Sequence, residues 1–332
     1  MTNLVIQSFG RESELKRAIL TILSFYAHTS QPVNETQVMV FTDNPDYFKA
    51  YLDGLPVRYS LLTAEKVKQM RGAIDFLHRM KIALIEEAFD TMDGDLLYTD
   101  SDTFFIADPT PLMQTLSPAK SYMHLWEYKF ESIKDMPLPA GETFHAYLDV
   151  ISRGPLKLAD GTEMNVTPDL SSWNAGVMLL HRSHAAWLPD VYALTEQTYP
   201  GTKNHAAEQY AFSILLQTRT DLKPCDAVVY HYWYRIKKQI IDEFLGTELN
   251  TEWAKQPLDK KIAIVKNWID ILPHYFEEHV LTLRDNAIQT FNENKYREGY
   301  KWAMKALIKQ PMGDKTFLKD VLYHLKRQVT GK

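Results

Sequence analysis

Over the first two hundred or so residues, apolar positions alternate between short runs of strand character and segments of helical period. Asn3 to Gln7 reads as a buried strand, after which Leu15, Ile19, Ile22, Leu23 and Tyr26 recur at helical spacing. Gln37 to Phe41 is the next strand, stopped by Asp43, Asn44 and Pro45, and Val57 to Leu61 is a third. A helix is predicted from Ile74 to Phe89, ended by the turn Thr91 to Asp95. The short apolar run Leu96, Leu97, Tyr98 follows, and acid residues come directly after it. Ser121 to Leu125, Trp173 to Leu180 and Asp226 to Tyr230 read as later strands. The stretch from Met136 to Pro168 is too long for a simple turn and reads as a lid or acceptor loop.

After about residue 240 the strand signals stop. Helical segments are predicted near 256–272, 276–293, 295–309 and 315–328. Strands alternating with helices, then helices alone, predict an α/β domain over 1–240 with a mostly parallel sheet flanked by helices, and an all-helical C-terminal region over 241–332. In that region Tyr296, Tyr300, Met304 and Leu307 lie on one side of a helix and Arg297, Lys301, Lys305 and Lys309 form a row on another. The row is either a solvated face with packing behind it or a surface that leans on anionic lipid or glycan.

Composition narrows the chemistry. Thirty-seven Lys and Arg against 42 Asp and Glu give a formal charge of −5, so no nucleic-acid partner is expected. The single cysteine, Cys225, allows neither an internal disulfide nor a Cys-rich zinc site, and any metal must be held by Asp, Glu and His. No run approaches the ~20 apolar residues of a membrane span, and the opening MTNLVIQSFGRESELKR lacks signal-peptide order. The expectation is a cytoplasmic protein, with peripheral contact to the inner face of a membrane through the basic row as a second option, and with no role for the sequons at Asn34 and Asn165.

The central feature is LLYTDSDTFF, where a buried strand runs into Asp100 and Asp102. In an extended chain alternate residues point the same way, so two such carboxylates can converge on one hard divalent cation that bridges a diphosphate. Asp93 and Asp95 share the spacing, but Gly94 between them and their place ahead of the strand mark turn chemistry.

YTDSDTFF, SSWNAGVMLLHRS, AEQYAFSILL and VVYHYWYRIKK, in that order, resemble the nucleotide-diphospho-sugar transferases of the GT-A fold, and most closely glycosyltransferase family 8, the group of glycogenin and the lipopolysaccharide galactosyltransferases. The resemblance covers about residues 1–240. It implies a Mn²⁺ or Mg²⁺ held by Asp100, Asp102 and His231, and a diphosphate-binding lysine six residues after the histidine, at Lys237. It also implies donor contacts from Ser8, Arg79, Lys81, Ser101, Asn174, Ala175 and Gly176, and places Glu208 and Gln209, with Asn174, near the reacting carbon. Three departures stand out: Tyr234 replaces the usual Gly between the histidine and the lysine, Glu208 replaces Asp, and SFGRE at Ser8 to Glu12 lacks the usual Asn or Asp pattern.

The physical reading agrees. Breaking a sugar-diphosphate bond leaves a nucleoside diphosphate of growing negative charge, so a bridging cation and fixed ammonium groups are the needed equipment. Without metal, the aspartates would repel the donor. Trp126, Glu127 and Tyr128 could form an acceptor platform or serve packing alone. The expected activity is metal-dependent transfer, with retention, of a hexose from a nucleotide-diphosphate donor, UDP-linked by preference, to a glycan or lipid-linked acceptor. The alternatives are a glycan- or nucleotide-sugar-binding protein that keeps the fold without turnover, a sugar nucleotidyltransferase, which would need a Gly-rich loop after the first strand, and a haloacid-dehalogenase-type phosphohydrolase, which places its Asp-x-Asp early.

Overall fold

The computed structural model describes residues 1–311 and 315–330. Eleven strands organise the account: β1 (Thr2–Gln7), β2 (Val38–Thr42), β3 (Val57–Leu61), β4 (Asp95–Thr99), β5 (Thr103–Phe105), β6 (Lys120–Met123), β7 (Trp126–Lys129), β8 (Ser171–Trp173), β9 (Val177–Leu180), β10 (Asp221–Pro224) and β11 (Val229–His231). The helices that matter here are α1 (Glu12–His28), α2 (Arg79–Thr91), α3 (Glu142–Ser152), α4 (Ala207–Arg219), α5 (Arg235–Glu248), α6 (Leu258–Glu278), α7 (Val280–Asn292), α8 (Tyr296–Lys309) and α9 (Lys315–Thr330).

Seven strands form the central sheet in the order β10-β6-β9-β4-β1-β2-β3. All run parallel except β9, which opposes both β4 and β6. Its central strands are apolar on both faces because helices cover both. Leu4, Ile6, Val38, Val40, Leu97 and Leu179 point to the layer of α1, α5 and α6. Val5, Met39, Phe41, Leu96, Tyr98 and Met178 point to the layer of α2 and α4. This is the α/β class the strand and helix pattern predicts.

Several elements differ from the sequence reading, each for a local reason. The helix expected from Ile74 starts only at Arg79, because Gly72 (φ 67°) and Asp75 (φ 49°) adopt left-handed backbone and residues 72–78 turn. The run Trp173 to Leu180 is two strands broken at 174–176, with β8 paired to β7 and β9 in the central sheet. The stretch 136–168 contains α3, whose Tyr147 and Ile151 are buried, and a short hairpin, Leu156–Lys157 with Glu163–Met164. β10 carried no strand signal, since it is a polar, Pro-ended edge strand.

The division drawn at 240/241 falls inside α5, and Ile241, Leu245, Val265, Trp268, Leu272 and Phe276 share the core of α1 and the sheet. A second small core, built from Leu283, Ala287, Phe291, Ala303, Ala306 and Phe317, belongs to α7, α8 and α9. In α8 the packed face is Gly299, Ala303 and Ala306. Met304, expected on the packed side, is exposed beside Lys301 and Lys305.

Gly299 sits under the Phe291 ring, and a Cβ there would lie 2.4 Å from Cδ1. That ring is itself stacked on His324 and cannot retreat. In an open helix Gly→Ala stabilises by about 1 kcal/mol. Gly299→Ala is expected to reverse that sign and destabilise the C-terminal helices by roughly 1–3 kcal/mol through overpacking, read as a lower denaturation midpoint.

Candidate active site

β4 ends at Thr99 and the chain turns through Asp100, Ser101 and Asp102 into β5. The Asp100 backbone N–H donates to the Gly176 carbonyl at 2.7 Å, one step beyond the last β4–β9 pair, so the sheet itself sets the first aspartate. β5 pairs antiparallel with β11, Thr103 opposite His231, and the Tyr232 N–H donates to the Asp102 carbonyl at 3.0 Å. A two-stranded ribbon thereby brings a histidine from far along the chain to the acid turn. Ligand atoms of Asp100, Asp102 and His231 lie within 4.8 Å of one another, the one such group among the described residues.

The imidazole is held on both nitrogens. Nδ1 lies 3.0 Å from Asn174 Oδ1, and Nε2 lies 3.2 Å from Asp102 Oδ1. Asn174 Oδ1 also accepts from the Gly176 N–H at 3.0 Å. Gly176 is required by shape: a Cβ there would stand 2.1 Å from His231 Cε1. The break in the strand thus makes room for the ring.

Two lysines face the acids. Lys81, buried in the first turn of α2, places Nζ 3.5 Å from Asp100 Oδ1, 3.3 Å from Glu208 Oε1 and 3.1 Å from the Ala175 carbonyl. Burial alone would lower its pKa, but the carboxylates of Asp100 and Glu208 outweigh that and raise it, so it stays an ammonium. Lys238 Nζ lies 2.6 Å from Asp102 Oδ2. Burial would raise the Asp102 carboxyl, yet His231 and Lys238 hold it well below the usual carboxylate range. The Tyr98 hydroxyl donates to Asp100 Oδ1, and burial with that neighbour pushes its pKa well up. His124, edge-on to His231, is pushed down to about 4 by burial first and by His231 second.

Two cavities meet at this group. One, of about 440 Å³, is lined by Ser8, Gly10, Arg11, Ser101 and Tyr98. The other, of about 490 Å³, is lined by Glu127, Tyr128, Phe144, His205, Glu208 and Trp233. His78, Lys81, Asp100, Asp102 and Lys238 line both.

Most residues singled out in the sequence therefore gather here, and three do not. Arg79 is turned away: Nε lies 2.7 Å from Glu196 Oε1 and the guanidinium sits over Tyr192. Two residues on a helix diverge by about 200°, so Arg79 and Lys81 cannot share a face. Lys237 donates to the Tyr230 hydroxyl at 2.6 Å and lies over the Tyr230 and Phe276 rings. Its neighbour Lys238 reaches the acids instead, because α5 starts at Arg235 and its helical phase puts position 238 on the cleft side. Trp126 is 51% exposed and lines neither cavity, whereas Trp233 and Phe144, which the sequence reading passed over, line the second.

The others take the following places. Ser8 Oγ is buried without a partner, and Ser101 Oγ donates to Glu14 at 3.1 Å. Ala175 is fully buried and acts through its backbone: its N–H donates to Gln209 Oε1 at 3.1 Å. Gln209 Nε2 donates to Glu127 and Ser172, so both ends of that amide are engaged. Glu208 keeps Oε2 buried with no partner. Glu127 accepts from Asn174 and Ser172 as well, and Tyr128 shares a hydroxyl contact of 2.6 Å with Tyr210.

No family model and no curated protein matches this sequence. The chain is similar to solved glycosyltransferase structures. Mouse xyloside xylosyltransferase 1, in its apo form, aligns at 12% identity over 68% of this chain and 85% of its own, with a TM-score of 0.43. The glycosyltransferase GlyE of Streptococcus pneumoniae TIGR4 aligns at 11% over 82% and 64%, with a TM-score of 0.44. The galactosyltransferase LgtC, in complex with donor and acceptor sugar analogs, aligns at 15% over 76% and 98%, with a TM-score of 0.46. At these identities and scores the functional reading stands on the chain's own residues.

Gly176→Ala is expected to expel the His231 ring and to weaken Mn²⁺ binding at least about 10-fold by calorimetry, while a Lys237→Met variant binds Mn²⁺ like wild type.

Proposed function

We propose that this protein is a metal-dependent glycosyltransferase that moves a sugar from a nucleotide-diphosphate donor, UDP-linked by preference, to a saccharide acceptor. The observation that carries the reading is the meeting of Asp100, Asp102 and His231 with two ammonium groups at the junction of two cavities. Two carboxylates and one neutral imidazole are a donor set suited to Mn²⁺ or Mg²⁺. Asn174 supports that use, because its carbonyl oxygen can only accept, so Nδ1 donates there and Nε2, beside Asp102, is the ring nitrogen left to bind a cation. A divalent ion bound there would neutralise diphosphate charge as the sugar leaves.

The chain's own groups do the rest. Lys81 and Lys238 supply fixed positive charge along the shared edge of the cavities, where a leaving diphosphate would develop charge. The first cavity is assigned to the nucleotide and the second to the sugar and acceptor. Glu208 lines the second, with one oxygen on Lys81 and the other buried and partnerless, which suits stabilising a cationic sugar centre on the face the diphosphate leaves. Transfer with retention of configuration is the outcome this reading expects. The aromatic faces of Trp233, Tyr128 and Phe144 suit stacking on a sugar acceptor.

The acceptor is assigned to a membrane surface. On α8 the exposed face presents Met304 and Ile308, 63% and 74% exposed, among Arg297, Lys301 and Lys305, and α9 exposes Leu318, Leu322 and Leu325. Apolar residues ringed by cations suit an anionic lipid surface, and a second copy of this face would bring lysine against lysine. No helix among the described residues is long and apolar enough to cross a membrane.

Two measurements test this. Incubated with a panel of nucleotide sugars, the protein is expected to release nucleoside diphosphate only with Mn²⁺ or Mg²⁺, and Asp102→Ala to lose about 10²–10³-fold or more of that rate. Turnover that survives chelation would end the metal-dependent reading. In flotation assays the protein should rise with anionic vesicles and not with zwitterionic ones, and Met304→Ser with Ile308→Ser should cut the bound fraction; equal flotation of the variant refutes the membrane assignment.

A further inference from the structure

Glu127 stands outside the acid turn, yet three hydrogen bonds converge on it. Its Oε1 accepts from Asn174 Nδ2 at 3.1 Å, and its Oε2 accepts from Ser172 Oγ at 2.8 Å and Gln209 Nε2 at 2.9 Å. A carboxylate can only accept, so all three partners must present a hydrogen to it. For Asn174, Glu127 and the Gly176 N–H set the amide's orientation from its two ends: Nδ2 faces Glu127, and Oδ1 faces the Gly176 N–H and His231 Nδ1. Oδ1 in turn can only accept, so the imidazole carries its proton on Nδ1. The nitrogen left to meet a cation is therefore Nε2, which stands beside Asp102.

From this chain of one-way hydrogen bonds we propose that Glu127 is a positioning residue for the metal centre: acting through Asn174, it fixes the His231 tautomer that can bind a divalent cation. The inference rests on the metal reading above and adds to it a residue that touches none of the ligands. An isosteric Glu127→Gln change shows what is at stake. With one oxygen still required by Ser172 and Gln209, the new amide nitrogen would face Asn174 Nδ2, donor against donor. Asn174 can remove that conflict only by turning over, and its NH2 group then meets both the Gly176 N–H, donor against donor, and His231 Nδ1. The ring must accept there and carry its proton on Nε2, where it blocks the metal.

The test is a cycle of variants read by Mn²⁺ calorimetry on the substrate-free protein. Glu127→Gln should weaken Mn²⁺ binding about 10–100-fold. Adding Asn174→Asp should restore it to within about 3-fold of wild type, because the new amide at position 127 can donate to the new carboxylate at position 174, whose other oxygen again accepts from His231. The same Asn174→Asp change in the wild-type background sets two carboxylates face to face and should bring no such gain. Wild-type affinity in Glu127→Gln, or an equal effect of Asn174→Asp in both backgrounds, overturns the proposal. Should Glu127→Gln fail to fold, the double variant decides alone: near-wild-type Mn²⁺ binding supports the proposal and its loss refutes it. Asp102→Ala separates the two levels, since loss of Mn²⁺ binding there together with unchanged binding in Glu127→Gln leaves the metal site standing and removes only the role of Glu127. A wild-type protein that binds no Mn²⁺ removes both.

Discussion

The site depends on a side chain that is not there. At Gly176 the strand run that starts at Ser171 is interrupted, its carbonyl takes the Asp100 N–H, and the space a Cβ would fill is taken by the His231 ring. Close packing allows no compromise at 2.1 Å, so a residue of any other type would push the imidazole off the acid turn. One glycine thus couples the central sheet, which sets Asp100, to the β5–β11 ribbon, which brings the histidine. Asn174 and Ala175, on the same break, hold the ring and accept the Lys81 ammonium.

Charge at the cleft is balanced between helices. Lys81 on α2 answers Asp100 and Glu208, the latter on α4, and Lys238 on α5 answers Asp102. Buried partners of this kind add little net stability when paired but cost about 3–5 kcal/mol when one is removed. The acid turn is also anchored from α1. Buried Arg17 makes two hydrogen bonds to Asp242, at 2.7 and 2.5 Å, and pairs with Glu14, which in turn accepts from Ser101. This ties α1 to α5, the helix that carries Lys238, so the position of that ammonium depends on a contact spanning 225 residues.

Much of the fold was legible because its signals are local. β3 matches the predicted bounds and β1, β2 and β4 match within a residue or two, since apolar runs on central strands are a property of consecutive positions. The Asp-x-Asp turn and its histidine were also legible, because a strand end followed by acids and a later imidazole are patterns of residue type. The misplacements share one cause. Arg79, Lys237 and Met304 were assigned by offset or by row, and a shift of one or two positions on a helix sends a side chain to another face. From the sequence Glu127 is part of either an acceptor platform or plain packing, and nothing in its neighbours in the chain announces that Asn174, Ser172 and Gln209 would converge on it.

What the sequence determined by itself was the order of elements, the two-faced burial of the sheet and the kinds of group that end up at the cleft, because each follows from propensity and period within a few residues. What only the tertiary structure decided was direction: which of two adjacent lysines faces the acids, which of two basic residues on α2 turns inward, and which nitrogen of His231 faces Asp102. Those outcomes depend on helix phase, on a strand break and on one-way hydrogen bonds between residues dozens to more than a hundred positions apart, and such constraints exist only once the chain has closed on itself.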